Sequence, residues 1–391
     1  MNQVKMICVT ANNNNKFYNM KDLDNGTFEV EYGRVGATST KLSYPISDWN
    51  KKYNEKLKKG YVDISESLQK EMRKAELDIK DQDVKELITF LMNCAKQSIK
   101  SNYDISLDSI TEIQINKVQD ILNTLKLAIN SKMPYTIINK YLIDIYTIIP
   151  RKMSDTRAFF MKSDFQIQQL IELLQDEQNR LDTLRSQVDI NNHNKVNESI
   201  TLESLGFSCE LATQEDRDII AKQTDFKVAN QKIFKISTKE TESNFNPNHL
   251  KTRLLYHGSK NENFLSILQN GLKIRPKGVA TTGSMFGDGI YGADKARKSI
   301  GYTSLKGNYW ASGDSNKAYL AIFEFATGKE YKCFANGKRW NSSMSNYDKE
   351  KINSYGCDSV FAEGGADLRN NEYIVYDSNQ VTIKYLIELN N

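Results

Sequence analysis

The chain has 391 residues, of which 39% are hydrophobic and 26% charged, and it carries a net charge of +4. That length exceeds one ordinary core and suits two or three, since domains run ~100–200 residues. No run of about 18 uncharged apolar residues is present to span a bilayer, and the first residues lack a basic segment followed by an apolar one, so an intracellular protein with no membrane partner is expected. Cys8, Cys94, Cys209, Cys333 and Cys357 form no CxxC pair, which fits neither a disulfide framework nor a zinc site, and no metal is expected. The charge is too mild for bulk attraction to nucleic acid. Residues 1–63 hold ten basic side chains against seven acidic ones, so most of the excess lies at the front. The asparagine run Asn12–Asn15 reads as compositional and carries no assigned chemistry.

Residues 1–66 read as short strands joined by turns. VKMICVT precedes the asparagine run, and FEVEYGRV alternates Phe28, Val30 and Tyr32 before Gly33 and Gly36. After Pro45, SDWNKKYNEKLKKG starts with Ser-Asp, continues in helix formers and closes at Gly60, which predicts one helix covering the sheet of a small, self-contained, β-rich module. From 79 to 189 the pattern turns helical: Val84, Leu87, Ile88, Leu91 and Met92, then Ile115, Val118, Ile121, Leu122 and Leu125, then Leu170, Leu173, Leu174 and Leu181. This predicts an all-α bundle punctuated by Pro134 and Pro150, with DINNHNKVNES (189–199) as a linker. Residues 198–391 hold the β-patterned runs QKIFKI, TRLLYHG, KAYLAIFEF, EYIVYD and VTIKYLIEL. Their irregular spacing favours a mixed domain on antiparallel sheets over a doubly wound parallel sheet, and the fold class is read as multidomain α+β.

Three histidines occur: His193 in the expected linker, His249 in a polar loop, and His257 directly after Leu254-Leu255-Tyr256. A histidine at a strand end is commonly a structural hydrogen-bonder. Gly258-Ser259 favours function, because a residue without Cβ lets a flat ligand reach backbone N–H and C=O groups able to clamp a carboxamide. Gly287–Gly292 matches GxGxxG, but a dinucleotide-binding turn must follow a buried strand and open a helix. The preceding VATTGSMF is loop-like, so the match reads as accidental and its glycines as shaping a loop around a ligand. Ala293 to Ser299 reads as a short helix delivering Tyr302. In NEYIVYD, Glu372 starts an apolar strand. It is either a solvated strand end or a carboxylate that stabilises an oxocarbenium-like centre and polarises an attacking hydroxyl.

Taken together, LLYHGSKNENFLSILQNGLKIRP, GSMFGDGIYGADKARKSIGYT and NEYIVYDSNQVTIKYL closely resemble the catalytic domain of the poly(ADP-ribose) polymerases, three blocks in the family's order. The family's His-Tyr-Glu triad falls on His257, Tyr291 and Glu372. Upstream, DVKELITFLMN, LDSITEIQINKVQDILNTL and YLIDIYTIIPRKM resemble the family's autoinhibitory helical domain. YGRVG at 32–36 resembles its WGR module, with Tyr32 in place of the naming tryptophan. The resemblance implies a WGR-like DNA-binding module over 1–66, a helical regulatory domain over 79–189 and an ADP-ribosyltransferase catalytic domain over 198–391.

It also implies NAD+ as co-substrate. Gly258 and Ser259 would hold the nicotinamide carboxamide, Tyr302 and Tyr291 would sandwich its ring, and His257 would bond a ribose hydroxyl. Asn263 and Lys273 would approach the adenosine part, and Ala293, Lys298 and Ser299 complete the set. Glu372 would bind the nicotinamide ribose, stabilise the cationic transition state and activate the acceptor. Gly292 stands where many relatives carry an aromatic residue, implying a looser pocket wall beside Tyr291. Tyr32 and Arg34 would contact DNA. The implied partners are damaged DNA ends or nicks and protein acceptors including the chain itself, in the nucleus of a eukaryote or the cytoplasm of a bacterium.

The leading expectation is a break-activated polymerase in which DNA favours an open helical domain by a differential free energy. A mono-ADP-ribosyltransferase on protein or nucleic-acid ends shares the pocket, although Glu372 favours elongation because its carboxylate can activate an incoming ribose hydroxyl. A DNA-binding scaffold with an inactive catalytic domain comes third, against the complete triad. A Rossmann oxidoreductase ranks last.

Overall fold

The computed structural model describes residues 3–65, 76–103, 110–163, 167–195, 199–228, 230–245, 247, 251–274, 285–308, 313–333, 341–365 and 367–391. Among these, no helix is long and apolar enough to cross a membrane. The architecture is mixed α/β with several antiparallel sheets. By contact the chain parts into two compact units, Met1–Met72 with Lys96–Asn191, and Arg73–Ala95 with Asn192–Asn391.

In the first unit, β1 (Gln3–Thr10), β2 (Asn14–Asp22), β3 (Thr27–Arg34) and β4 (Thr40–Pro45) form an antiparallel meander, and β5 (Val62–Asp63) pairs with β1 at the other edge. Strand alternation sorts the side chains. Met6, Tyr18, Met20, Phe28 and Val30 cluster on one face, with Trp49 and Tyr53 of α1 (Trp49–Lys58) packed against them. The asparagine run makes the turn from β1 to β2, where Asn13 adopts a φ of 65° that asparagine tolerates better than most residues. Ile7, Val9 and Val35 join a second core. The helices that build it are the end of α2 (Gln82–Asn102), α3 (Glu112–Asn130), α4 (Tyr135–Ile148) and α5 (Ile167–Lys195).

Local chemistry explains where these helices begin and end. The Thr111 hydroxyl accepts from the Gln114 N–H at 3.2 Å while the Gln114 side chain accepts from the Thr111 N–H at 3.0 Å, satisfying donors that have no helical partner. Pro134 precedes α4, and α4 stops at Ile149, whose extended backbone is what a residue before proline must adopt. The linker expected from 189 is corrected by α5, which runs on to Lys195 and includes His193. Asp, Asn and His each cost up to about 0.7 kcal/mol in an established helix, and buried Val188 and Ile190 offset that cost. Residues 196–198, and His249, lie outside the described residues.

The strands of the second unit are β6 (Phe207–Leu211), β7 (Ile233–Thr238), β8 (Thr252–Gly258), β9 (Ile290–Gly292), β10 (Lys317–Ala326), β11 (Glu330–Cys333), β12 (Ser359–Ala362), β13 (Glu372–Val375) and β14 (Val381–Asn390). One sheet has the order β6-β7-β14-β10-β8 and the other β11-β12-β13-β9. Their pairings are antiparallel except β11 with β12. Central β10 and β14 are buried almost throughout, which is why KAYLAIFEF and VTIKYLIEL read as nearly continuous apolar runs. The helices are α6 (Gln214–Gln223), α7 (Lys239–Asn244), α8 (Asn261–Asn270), α9 (Ala296–Ile300) and α10 (Lys349–Ser354). The start of α2 also belongs to this unit: Phe90 packs on Tyr319 at 5.8 Å and Asp83 pairs with Lys232. The two sheets meet where Tyr256 and Ala293 exchange both backbone hydrogen bonds, at 2.8 and 3.0 Å.

Leu122→Ala, in the fully buried stripe of α3, is expected to destabilise the chain by about 2–5 kcal/mol. Ile113→Ala on the same helix, where the side chain is 67% exposed, should stay within about 0.5 kcal/mol. Denaturant titration followed by circular dichroism measures both.

Candidate active site

β10 holds β8 with Ala321 opposite His257 and Leu320 opposite Gly258, while β13 holds β9 with Ile374 opposite Tyr291. The Tyr256–Ala293 pairing then brings the end of β8 against β9, and His257 Nδ1 lies 3.2 Å from the Tyr291 carbonyl oxygen. That oxygen accepts, so Nδ1 carries a proton. Phe323 meets the imidazole edge-on at 6.0 Å and fixes its plane. Glu372 opens β13, two residues before the partner of Tyr291, and α9 supplies Lys298, whose Nζ forms an ion pair with Glu372 Oε1. The structure thus brings together His257, Tyr291, Lys298 and Glu372.

Glu372 is not a solvated strand end, since it is 8% exposed. Burial pushes its pKa above the ordinary carboxylate value, and Lys298 opposes the shift by charge and hydrogen bond. Its second oxygen, Oε2, is buried and meets no donor among the described residues. Buried polar atoms are normally paired, so this acceptor suits a substrate hydroxyl. The Tyr291 hydroxyl donates to Gly287 O at 2.8 Å and accepts from the Phe286 N–H at 3.1 Å, which fixes the ring from its far end. Burial raises the Tyr291 pKa, so the phenol stays protonated.

The glycines of the GxGxxG match are packing devices. A Cβ at Gly287 would overlap the Tyr347 carbonyl, and one at Gly289 would overlap Ile374. The segment runs into strand β9 and opens no helix, so it is not a dinucleotide-binding turn; residues 279–284 of the preceding run lie outside the described residues. A Cβ at Gly292 would meet Phe325 and Leu255, so any larger residue there would press into the contact between the sheets. This corrects the looser wall expected beside Tyr291, because successive strand residues face opposite ways. Gly258 is equally constrained, since a Cβ would overlap the Ser299 carbonyl oxygen.

The remaining expected residues are less uniform. Asn263, in the first turn of α8, donates to the Ser259 hydroxyl at 3.1 Å. Tyr302, 41% exposed, lies beside Gly258 and feels the Glu372 charge. Ser299 is buried, with its hydroxyl donating to Tyr256 O at 3.1 Å, so its side chain acts as a clamp. Ala293 contributes the backbone pairing already described. Lys273 is not brought to the cluster. It follows the far end of α8, roughly 15 Å of helix from Asn261, in an exposed pair with Glu240 at 3.4 Å. Sequence reading missed Asn371, which donates to Asp294 Oδ2 at 2.7 Å and accepts from the Gly364 N–H at 2.8 Å, locking the residue before Glu372. A polar side chain adjoining the candidate carboxylate was the available signal.

In the first unit, Arg34 is turned inward. Its Nε donates to Met153 O at 3.0 Å, and its terminal nitrogens donate to Asn13 O at 3.1 Å and Asn13 Oδ1 at 2.8 Å. Three of the five Arg34 N–H donors are thus engaged in an internal latch. Asn15 adds to it by donating to Arg151 O at 2.8 Å. Tyr32 packs with Tyr18 at 6.1 Å, and Lys56 lies over the Tyr18, Tyr61 and Tyr32 rings at 4.0, 5.2 and 5.9 Å.

A buried carboxylate with one oxygen held by an ammonium and the other open suits transfer at the anomeric carbon of a sugar, and residues 216–391 match the poly(ADP-ribose) polymerase catalytic domain. The class is therefore that of an NAD+ ADP-ribosyltransferase enzyme. Protein 101L of Invertebrate iridescent virus 6, itself uncharacterized, is 32% identical over 55% of this chain and 91% of its own length. The poly(ADP-ribose) polymerase-like protein 100L of the same virus is 37% identical over 36% of this chain and 71% of its own length. Poly(ADP-ribose) polymerase 1 of Danio rerio is 24% identical over 97% of this chain, which spans 40% of that larger protein. The chain belongs to the poly(ADP-ribose) polymerase family.

Lys298→Met removes the charge that opposes burial at Glu372, so the carboxyl should ionise only at higher pH. The acid limb of NAD+ turnover is expected to move up by about 1–2 units, read as nicotinamide release against pH. Gly258→Ala should cut the same release about a hundredfold by displacing Ser299 and Tyr302, with far-UV circular dichroism unchanged.

Proposed function

We propose that the chain is a DNA-stimulated poly(ADP-ribose) polymerase that transfers ADP-ribose from NAD+ to proteins, itself included, and releases nicotinamide. The observation that carries this reading is the buried, open Oε2 of Glu372 beside the Lys298 ion pair. Gly258 backbone groups and the Ser259 hydroxyl bind the carboxamide, Tyr291 and Tyr302 flank the nicotinamide ring, and His257 bonds a ribose hydroxyl through Nε2. Ala293 and Ser299 support that pocket through their contacts with Tyr256, and Asn263 approaches the adenosine part from the start of α8.

As the bond from the ribose C1′ to the pyridinium nitrogen breaks, its electron pair leaves with nicotinamide and positive charge develops on the sugar. Ionised Glu372 stabilises that charge and orients the ribose by accepting a hydroxyl at Oε2. The acceptor oxygen then bonds to C1′ and its proton passes to water. In elongation the acceptor is a ribose hydroxyl of the growing chain, which the same carboxylate polarises.

Residues 1–66 are assigned to a WGR-like DNA-binding module, 79–189 to a helical regulatory domain and 198–391 to the catalytic domain. Support for DNA stimulation comes from the likeness to poly(ADP-ribose) polymerase 1 along nearly the whole chain and from the basic excess of residues 1–63. With Arg34 engaged internally, phosphate contacts fall to lysines of that segment. The test is automodification with labelled NAD+, with and without nicked or 5′-phosphorylated broken DNA, comparing wild type with Glu372→Gln. DNA-stimulated ladders absent from Glu372→Gln are expected. A single unstimulated band would indicate mono-transfer without the DNA switch, and no label would indicate an inactive scaffold.

A further inference from the structure

Helix α9 is only five residues long, yet it carries Lys298 and Ser299 and delivers Tyr302. Isolated helices below ~12–15 residues are marginal, and the first N–H groups of any helix lack helical partners. The flanking Lys295 offers no capping side chain. The missing acceptor comes from Asp225, between α6 and β7, whose Oδ1 takes the Ala296 N–H at 3.0 Å across 71 residues of sequence. A carboxylate at this end also complements the helix dipole. Its Oδ2 lies 3.8 Å from Lys295 Nζ, but both side chains are substantially exposed, so that pair contributes little beside the backbone bond. The far part of α9 is held by the Ser299 hydroxyl on Tyr256 O and by its close approach to Gly258. Lys298 lies between these two attachments.

We propose that Asp225 is a positioning residue for the transfer reaction: by capping α9 from a distant segment it sets Lys298 against Glu372 and keeps Tyr302 beside Gly258. The proposal rests on the reading that Glu372 works as a carboxylate in NAD+ cleavage. Among the described residues, the titratable groups that face that carboxylate are Lys298 from α9, Tyr291 from β9 and Tyr302 just beyond α9. Of these, Lys298 is the cation that favours ionisation, so loosening α9 acts on Glu372 as a partial loss of Lys298.

The experiment compares full-length wild type, Asp225→Ala, Asp225→Asn, Lys298→Met and the Asp225→Ala/Lys298→Met pair by nicotinamide release against pH and NAD+ concentration. Asp225→Ala should lower kcat about tenfold and shift the acid limb upward, in the direction of Lys298→Met, by up to about one pH unit. Asp225→Asn keeps a capping oxygen and should stay within about twofold of wild type. The double variant should show no larger pH shift than Lys298→Met alone, because both changes act through one contact. As a second readout, amide exchange over Ala296–Ile300 should quicken in Asp225→Ala and not in Asp225→Asn. An active wild type whose pH profile and α9 exchange are unmoved by Asp225→Ala overturns the proposal. A wild type that releases no nicotinamide overturns the reading beneath it.

Discussion

Two backbone hydrogen bonds between Tyr256 and Ala293 join the sheets of the second unit, and the candidate site is arranged around them. His257 follows Tyr256, and Tyr291 comes two residues before Ala293. The Tyr256 carbonyl also accepts the Ser299 hydroxyl, so both of its lone pairs are engaged and α9 is tied to the same point. Glycines flank the junction because the backbones leave no room for side chains: Gly292 lies against Phe325 and Leu255, and Gly258 against the Ser299 carbonyl. A site assembled from short segments of two sheets and a five-residue helix is thereby given the rigidity that those segments lack individually.

The electrostatics of the site depend on the same framework. Burying a carboxylate is unfavourable unless a partner compensates, and Lys298 compensates at one oxygen only. At Glu372 the second oxygen is a buried acceptor left open among the described residues. Such local unfavourable arrangements persist where the surrounding structure over-determines them, and they are found at functional sites.

Legibility in the sequence followed the range of the interactions involved. Strand runs such as KAYLAIFEF and the helical stripes of α3 and α4 declared themselves through local periodicity, and the motif blocks holding His257, Tyr291 and Glu372 were recognisable as blocks. The roles of Asn13, Asn15 and Arg34 were not, because their partners at Thr156, Arg151 and Met153 respectively lie more than a hundred residues away. The continuation of α5 past 189 was hidden by weak helix formers whose cost is offset by buried Val188 and Ile190. Lys273 was placed by sequence correspondence alone, whereas its position follows from the length of α8. Asp294 and Asn371 are ordinary polar residues until the pairing of β9 with β13 brings their segments together.

The first unit's sheet depends for part of its core on residues far along the chain. Ile7, Val9 and Val35 are completed by residues of α3, α4 and α5, and Arg34 is anchored on Met153. Cut away from those helices, the strands would present an apolar surface to water. The sheet is therefore not self-contained: one of its faces is completed by the helices, and substitutions on the two sides of that core are energetically coupled.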